Sequence, residues 1–186
     1  MPDELRSALE VLKRKGIILY PTDTVWGIGC DATNEPAVQK IFRIKKREDS
    51  KSLLVLLDSP GKLERYVTVP DIAWELLEVS TSPLTIIYPG AKNLAPGLIA
   101  EDGSAGIRIT GDEFCVELIK RFGKPIVSTS ANISGTTTPA IFDDIQDEII
   151  SSVDYVVNWR QDDIQKRAAS AIIKLEENGR FKIIRK

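Results

Sequence analysis

The 186-residue sequence contains no histidine. This absence excludes Ser-His and Cys-His nucleophile pairs, a histidine general base and a histidine-ligated metal. Two cysteines are present, Cys30 and Cys115, too few and too far apart for a zinc-ligand pattern or a disulfide framework. Because no signal peptide and no apolar run of membrane-spanning length is found, we expect a cytoplasmic protein without membrane association.

The sequence also lacks a large excess of charge of either sign. It has 25 lysines and arginines and 27 aspartates and glutamates, which gives a net charge of −2. Such a chain has no global field to attract a polyanion, and we expect weak or no direct RNA binding. Hydrophobic residues make up 42% of the sequence, enough for a sizeable core. Without repeats or shifts in composition, residues 1–186 are interpreted as a single domain.

Apolar runs and helical periodicities along the chain predict a series of strands and helices. Helices are predicted at 2–15, 34–45, 62–66, 71–79, 113–122 and 143–150. Strands are predicted at 17–19, 53–57, 83–90, 104–110, 125–127 and 153–157. The chain ends in a predicted hairpin, with strands 169–175 and 180–185 around an Asn-Gly turn. The long polar stretch 91–103 is a candidate lid.

The stretch from Tyr20 to Asp31 organises the rest of the chain. It reads Tyr-Pro-Thr-Asp-Thr-Val-Trp-Gly-Ile-Gly-Cys-Asp and follows a buried strand. Small and hydroxyl-bearing residues after a strand suit a pocket wall, where a ligand comes close to the backbone. A proline-initiated turn that leads into a second strand explains the same residues without a ligand, and both interpretations stay open at this point.

A basic cluster, Lys45-Lys46-Arg47 with Lys51 after it, precedes the strand at 53–57. In an extended segment Lys45 and Arg47 point the same way and are able to hold a polyphosphate. The alternative is a cationic last helical turn, which the helix dipole favours, followed by a solvated loop.

Two later stretches carry further candidate contacts. Arg108 lies in an apolar strand and needs a negative partner, which the carboxylate of a ligand would supply. The alternative is an internal ion pair or a position at the edge of the sheet. Residues 124–139 run from a buried strand into hydroxyls, an amide and a glycine, which offer neutral donors to phosphate oxygens. They lack the Gly-Lys-Ser/Thr ending of a P-loop, and a plain Ser/Thr loop is the alternative.

In this order, the motifs resemble a known family. The chain closely resembles the YrdC/TsaC/Sua-type threonylcarbamoyl-adenylate synthases over nearly its whole length. The resemblance implies an α/β fold, a YrdC-like twisted mixed sheet with flanking helices around a large open cavity. The motifs that carry it are Tyr20 to Gly29, the K-x-R of Lys45 to Arg47, Gly106-Ile107-Arg108, and the S-x-N of Ser130 to Asn132.

The resemblance also implies a reaction. L-threonine, bicarbonate and ATP, with Mg²⁺ bound along with the ATP, would give threonylcarbamoyl-AMP and pyrophosphate. This nucleotidyl transfer is the first step toward threonylcarbamoyladenosine in tRNA, and a separate downstream complex transfers the group to tRNA. The reaction needs no protein nucleophile, and we expect no dedicated metal site in the protein.

The same resemblance assigns roles to individual residues. It implies threonine binding by Thr22, Arg108, Ser128 and Ser170. It implies ATP binding by Lys45, Arg47, Ser104, Ser130, Asn132, Thr138 and Arg185, and Lys51 is added because of its charge and proximity. Lys45 and Arg47 would also offset the charge that develops on the phosphates during the reaction.

Three other functions stay open. A YrdC-like RNA-binding module would bind RNA in a salt-sensitive way, against which the acidic balance argues. A second alternative is a carbamoyl-adenylate-forming paralogue, as in hydrogenase-maturation proteins. There the related domain is embedded among zinc-finger and acylphosphatase modules, and with two cysteines in 186 residues we expect no such modules in this sequence. YrdC-like paralogues of uncertain activity tend to lack K-x-R and S-x-N, both of which are present.

Overall fold

The computed structural model describes residues 1–46, 53–176 and 179–186. Its helices are α1 (Pro2–Lys13), α2 (Glu35–Ile44), α3 (Asp71–Val79), α4 (Glu113–Phe122) and α5 (Asp147–Ser152), with 3₁₀ turns at Pro60–Arg65, Pro96–Leu98 and Phe142–Asp144. Its strands are β1 (Ile18–Tyr20), β2 (Gly27–Gly29), β3 (Leu54–Leu57), β4 (Leu84–Tyr88), β5 (Ala105–Ile109), β6 (Ile126–Ser130), β7 (Tyr155–Val156), β8 (Ala171–Leu175) and β9 (Phe181–Arg185). The predicted helix 143–150 is thus a 3₁₀ turn followed by α5. None of the helices in the described residues is long and apolar enough to cross a membrane.

The ends of the helices follow local capping chemistry. The side chain of Asn34 accepts a hydrogen bond from the backbone N–H of Ala37 at 3.1 Å, as the sequence predicts for the start of α2. Gly123 ends α4 in the left-handed conformation, with φ at +75°. At the end of α1 this conformation falls on Lys15, with φ at +63°, and not on Gly16. Gly16 instead lies so close to α1 that a Cβ atom would clash with it.

The strands of the described residues form one sheet in the order β7-β1-β2-β6-β3-β5-β4-β8-β9. Pairs β1–β7, β3–β5 and β4–β8 are parallel, and the other neighbours are antiparallel. The predicted mixed α/β fold is therefore confirmed. β8 and β9 form the predicted terminal hairpin, although Asn178 of its predicted turn lies outside the described residues.

One face of the sheet is apolar along the central strands. Ile173, Ile86, Ile107, Val55 and Val127 are neighbours in register across β8, β4, β5, β3 and β6. They belong to or pack against the larger hydrophobic core, to which α2, α3 and α5 contribute buried residues. This face carries most of the hydrophobic burial that stabilises the domain.

The opposite face is divided into an apolar and a polar part. Leu56 and Ile126 pack with α1 and α4 in a second hydrophobic cluster. The same row of side chains continues across the neighbouring strands, where Arg108 of β5 lies opposite Leu56 and Thr85 of β4 lies opposite Arg108. Both of these polar residues border a cavity. The site therefore lies where helix packing on this face stops.

The stretch 91–103, considered above as a lid, is anchored to the core for most of its length. Leu94, Ala95 and Leu98 are buried. The backbone N–H of Gly97 donates to the carboxylate of Glu35 at 3.0 Å. Only the last part of the stretch, from residue 100 to residue 102, borders the cavity.

Candidate active site

A cavity of about 660 Å³ lies on the polar part of the divided face. This volume falls within the range of about 300–1,000 Å³ that is usual for small-molecule sites. The openness that the resemblance implies for the cavity stays a prediction. Seven of the predicted site residues border it: Ser104, Arg108, Ser128, Ser130, Thr138, Ser170 and Arg185.

Arg108 brings a buried positive charge to the cavity, since only 3% of it is exposed. Its Nη2 lies 3.1 Å from Oδ1 of Asp23, and its Nη1 donates to Oγ1 of Thr24 at 3.0 Å. Among the residues that the structure describes, none accepts a hydrogen bond from its buried Nε. Of the two partners considered from the sequence, the structure contains the internal ion pair.

Asp23 is held in place from the side away from Arg108. Its Oδ2 accepts hydrogen bonds from Oγ1 of Thr110 at 3.3 Å and from the backbone N–H of Gly111 at 3.2 Å. Its Oδ1 faces the arginine. Asp23 therefore balances the charge of Arg108 without a hydrogen bond to its Oδ1 among the described residues. Sequence reasoning missed this partner because the two residues are distant in the chain.

A directed chain of hydrogen bonds links Arg108 to the Thr-Asp-Thr motif. The hydroxyl of Thr22 donates to the carbonyl of Val25 at 2.8 Å, so in its 3.0 Å contact with Thr24 the Thr24 hydroxyl is the donor. Thr24 in turn accepts from Arg108. Thr24 borders the cavity, and Thr22 lies behind Thr24, to which it is hydrogen-bonded. Thr24 is thus a site residue that the prediction missed, although it belongs to the same motif.

Thr85 and Ser170 form a second pair of hydroxyls on the cavity wall. Their oxygen atoms are 2.8 Å apart and both residues are buried. Thr85 lies opposite Arg108 in the register of the sheet, which places the pair one strand away from the guanidinium group. The prediction did not include Thr85, and its only sequence signal is a threonine in an otherwise apolar strand. Ser128 reaches the same face from β6, opposite Leu54.

The predicted nucleotide contacts Arg185 and Ser104 lie toward the terminal hairpin. Nε and Nη2 of Arg185 donate to the carbonyl of Ser170 at 3.0 and 2.8 Å. The hydroxyl of Ser104 donates to Asp102 at 2.6 Å, and Lys174 donates to the same carboxylate. Hydrogen bonds from Lys174 and then from Ser104 lower the pKa of Asp102 to about 2. Asp102 and Lys174 border the cavity and were missed from the sequence.

Lys45 takes a position that the sequence did not predict. Its ammonium group donates to the backbone carbonyls of Ser130 at 2.6 Å and Asn132 at 2.7 Å, and only 2% of the residue is exposed. The carbonyl of Lys45 accepts from the backbone N–H of Ser134. Lys45 thus fastens the end of α2 to the S-x-N loop. Predicted contacts Arg47 and Lys51 lie outside the described residues.

Asn132 shapes the loop that Lys45 holds. Its Nδ2 donates to the carbonyls of Ile133 at 3.0 Å and Thr136 at 2.8 Å. Its Oδ1 is buried and has no hydrogen-bond partner among the described residues. Ser130 and Thr138, at the two ends of this loop, are the members that border the cavity.

The carboxylates of the described residues do not form a cage for Mg²⁺. In residues 1–46, 53–176 and 179–186, no group of three or more cysteine, aspartate and glutamate side chains is placed to hold a metal. On the cavity rim, Asp102 is already engaged by Lys174 and Ser104.

Neither cysteine is among the described residues that border the cavity. Both Cys30 and Cys115 are buried. Burial is the largest cause that raises the pKa of each thiol, so the reactive thiolate form is disfavoured.

Sequence comparison places the chain among known proteins. The Sua5/YciO/YrdC family model, described as "Telomere recombination", matches residues 10–186. A protein of Methanocaldococcus jannaschii is 35% identical over 95% of this chain and 84% of its own length. A threonylcarbamoyl-AMP synthase of Pseudoalteromonas translucida is 32% identical over 83% of this chain and 84% of its own length.

Solved structures share the fold. E. coli YciO has a TM-score of 0.87 and 22% identity, over 100% of this chain and 90% of YciO. P. abyssi Sua5 complexed with L-threonine has a TM-score of 0.82 and 24% identity, over 92% of this chain and 50% of Sua5. The chain thus spans about half the length of that Sua5. With a family match from residue 10 to residue 186, the chain belongs to the Sua5/YciO/YrdC family.

Proposed function

We propose that the chain is an L-threonylcarbamoyladenylate synthase. It would form threonylcarbamoyl-AMP and pyrophosphate from L-threonine, bicarbonate and ATP. The observation that carries the proposal is Arg108, a buried cation that borders a cavity of about 660 Å³. A relative that is 32% identical over 83% of this chain is a threonylcarbamoyl-AMP synthase.

In this proposal the amino acid binds at the Arg108 end of the cavity. The guanidinium group receives the carboxylate of L-threonine, a charge-assisted hydrogen bond worth about 1.5–3 kcal/mol. Ser128 and Ser170 lie on the same face and offer hydroxyls to the polar groups of the substrate. Thr22 acts through Thr24, with which it shares a hydrogen bond.

The nucleotide then binds between the S-x-N loop and the terminal hairpin. Ser104, Ser130, Thr138 and Arg185 border this part of the cavity and offer donors to phosphate and ribose oxygens. Lys45 supports the loop that contains Ser130 and Asn132. Arg47 and Lys51 stay proposed phosphate contacts, and Mg²⁺ would be held chiefly by the phosphates of ATP and by water.

The reaction requires orientation and charge stabilisation. The neutral amine of threonine combines with bicarbonate to a carbamate with loss of water. A carbamate oxygen attacks the α-phosphorus of ATP, and the bond between that phosphorus and the pyrophosphate oxygen breaks. Cationic side chains offset the charge that develops on the phosphates, and the site holds the reactants together. No side chain forms a bond to a substrate.

The product would pass to a downstream complex that transfers the group to tRNA. The chain itself need not hold RNA tightly, which agrees with its net charge of −2. Two free, buried thiols agree with the reducing cytoplasm in which we expect this single domain to act.

Pyrophosphate release from ATP and bicarbonate tests the proposal, with L-threonine, L-serine or no amino acid added. We expect release that depends on L-threonine and a lower rate with L-serine, because one methyl group is worth about 1–3 kcal/mol in a fitted pocket. Arg47→Ala should lower the rate ten-fold or more, since a lost charged contact costs about 1.5–3 kcal/mol. Arg6→Ala, which breaks an exposed pair with Asp3 on α1, is the matched control and should leave the rate unchanged. Release in none of the three reactions, from a protein that still binds ATP, would refute the proposal.

A further inference from the structure

Gly106 occupies a position at which the local structure does not require glycine. It lies inside β5, and its φ is not positive. A Cβ atom on Gly106 would make only ordinary contacts with the described residues, 3.7 Å from Thr85 and 3.9 Å from Ile87 and Leu54. A glycine inside a strand destabilises a protein by about 0.5–1 kcal/mol relative to alanine. Neither packing against the described residues nor backbone conformation therefore requires the absence of a side chain here.

The register of the sheet shows where that side chain would point. Gly106 pairs with Ile87, and Arg108, two residues farther along β5, pairs with Thr85. Alternate residues of a strand share one face, so Gly106 lies on the face of Arg108. Gly106 itself borders the cavity. A side chain at this position would therefore project into the cavity.

Gly106 also lies between the two ends of the proposed site. Ser104, a proposed nucleotide contact, precedes it by two residues, and Arg108, the proposed carboxylate contact, follows it by two. In an extended chain the two contacts are about 13 Å apart. Under the proposed function, the part of the reacting complex that joins nucleotide to amino acid would lie over Gly106.

We propose that Gly106 is a nucleotide-binding position at which the site requires the absence of a side chain. Its missing side chain leaves room for the ribose and α-phosphate of the nucleotide to lie against the backbone of β5, between Ile87 and Leu54. A methyl group at this position would occupy the space through which the α-phosphate approaches the carbamate. This inference rests on the proposed function for the identity of the nucleotide, and on the geometry of β5 for the position.

The test compares Gly106→Ala with Gly61→Ala. Gly61 is exposed in the 3₁₀ turn Pro60–Arg65, where the nearest atom to an added Cβ is 3.8 Å away. We expect Gly106→Ala to melt at the wild-type temperature or above it. We also expect its affinity for MgATP, measured by calorimetry, and its kcat/KM for ATP in pyrophosphate release to fall ten-fold or more. Gly61→Ala should match the wild type in all three measurements, and Gly106→Val should lose more than Gly106→Ala.

Two results would overturn the inference. One is equal MgATP affinity in Gly106→Ala and Gly61→Ala. The other is a lower melting temperature for Gly106→Ala, since that would show that packing requires the glycine. If the wild type binds MgATP but releases no pyrophosphate, the proposed function fails, and the calorimetric comparison still decides the role of Gly106.

Discussion

Replacement of Arg108 by methionine separates two roles of this residue, the ion pair with Asp23 and the proposed contact with the carboxylate of L-threonine. Arg108→Met retains the apolar stem of the side chain but leaves the carboxylate of Asp23 without its cation. The double variant Arg108→Met/Asp23→Asn removes both charges, and the oxygen of the introduced amide can still accept hydrogen bonds from Thr110 and Gly111.

The structure sets the size of the expected effects. Loss of one partner from a buried ion pair costs about 3–5 kcal/mol. The side chain of Asp23 is 16% exposed and keeps two hydrogen-bond donors, so we expect a loss of about 3 kcal/mol for Arg108→Met. For a domain of this size that loss lowers the melting temperature by about 6–12 °C. The double variant should recover about 1–2 kcal/mol, because the two residues are in contact and their effects are coupled.

Ligand binding should not recover together with stability. Both variants lack the proposed charge-assisted hydrogen bond, so the affinity for L-threonine should fall about 10- to 150-fold in each. Urea unfolding measures the first effect, and calorimetric titration with L-threonine measures the second. A double variant that is no more stable than Arg108→Met would refute the ion-pair argument. Unchanged affinity for L-threonine would remove Arg108 from the carboxylate site.

Three further predictions concern the loop, the rim and a helix end. Lys45→Met should lower the free energy of unfolding by about 2–4 kcal/mol, because the carbonyls of Ser130 and Asn132 lose charge-assisted hydrogen bonds; a loss below about 1 kcal/mol in urea unfolding would contradict this. The pKa of Asp102 lies at about 2 in the folded protein, below the ordinary value of 3.8. The ionised carboxylate of Asp102 therefore contributes to stability above pH 3.8, and this contribution is lost as the pH falls through 2. The stability difference between the wild type and Asp102→Asn should therefore be constant from about pH 7 to pH 5 and vanish toward about pH 2. Thermal unfolding measures this difference, and a difference that does not depend on pH would be inconsistent with the ion pair between Asp102 and Lys174. Gly123→Ala should lower the free energy of unfolding by about 1 kcal/mol, because the position has a positive φ. Pyrophosphate release should not change, because the space around Gly123 is open. Equal stability would show that alanine adopts this conformation without strain.

Much of the fold could be predicted from local chemistry. The amphipathic periodicity of α1, α2 and α4, the cap at Asn34 and the glycine after α4 depend on residues that are close in the chain. The predicted hairpin at the end of the chain depends on a turn of two residues in the same way. The order of four motifs was sufficient to indicate the family, since each motif is a short run of the sequence.

Parts of the site could not be predicted, because they depend on the register of the sheet. Thr85 is a single threonine in an apolar strand until β4 pairs with β5 and places it opposite Arg108. Lys174 is one of 25 cations in the chain until β8 aligns it with Ile87, on the cavity face. A shift by one residue in either strand would move these side chains to the other face.

The amino-acid sequence by itself determined α1, α2 and α4, the family motifs and the absence of histidine and thiol-pair chemistry, because these follow from composition and from neighbours along the chain. The predicted helices 62–66 and 143–150 are wholly or partly 3₁₀ turns in the structure. Only the tertiary structure decided the partners of the buried charges. Asp23 meets Arg108, and Lys45 meets the carbonyls of the S-x-N loop, across long stretches of intervening chain. A buried charge has to be paired, but which group pairs with it is set by the strands that deliver the two groups to the same place.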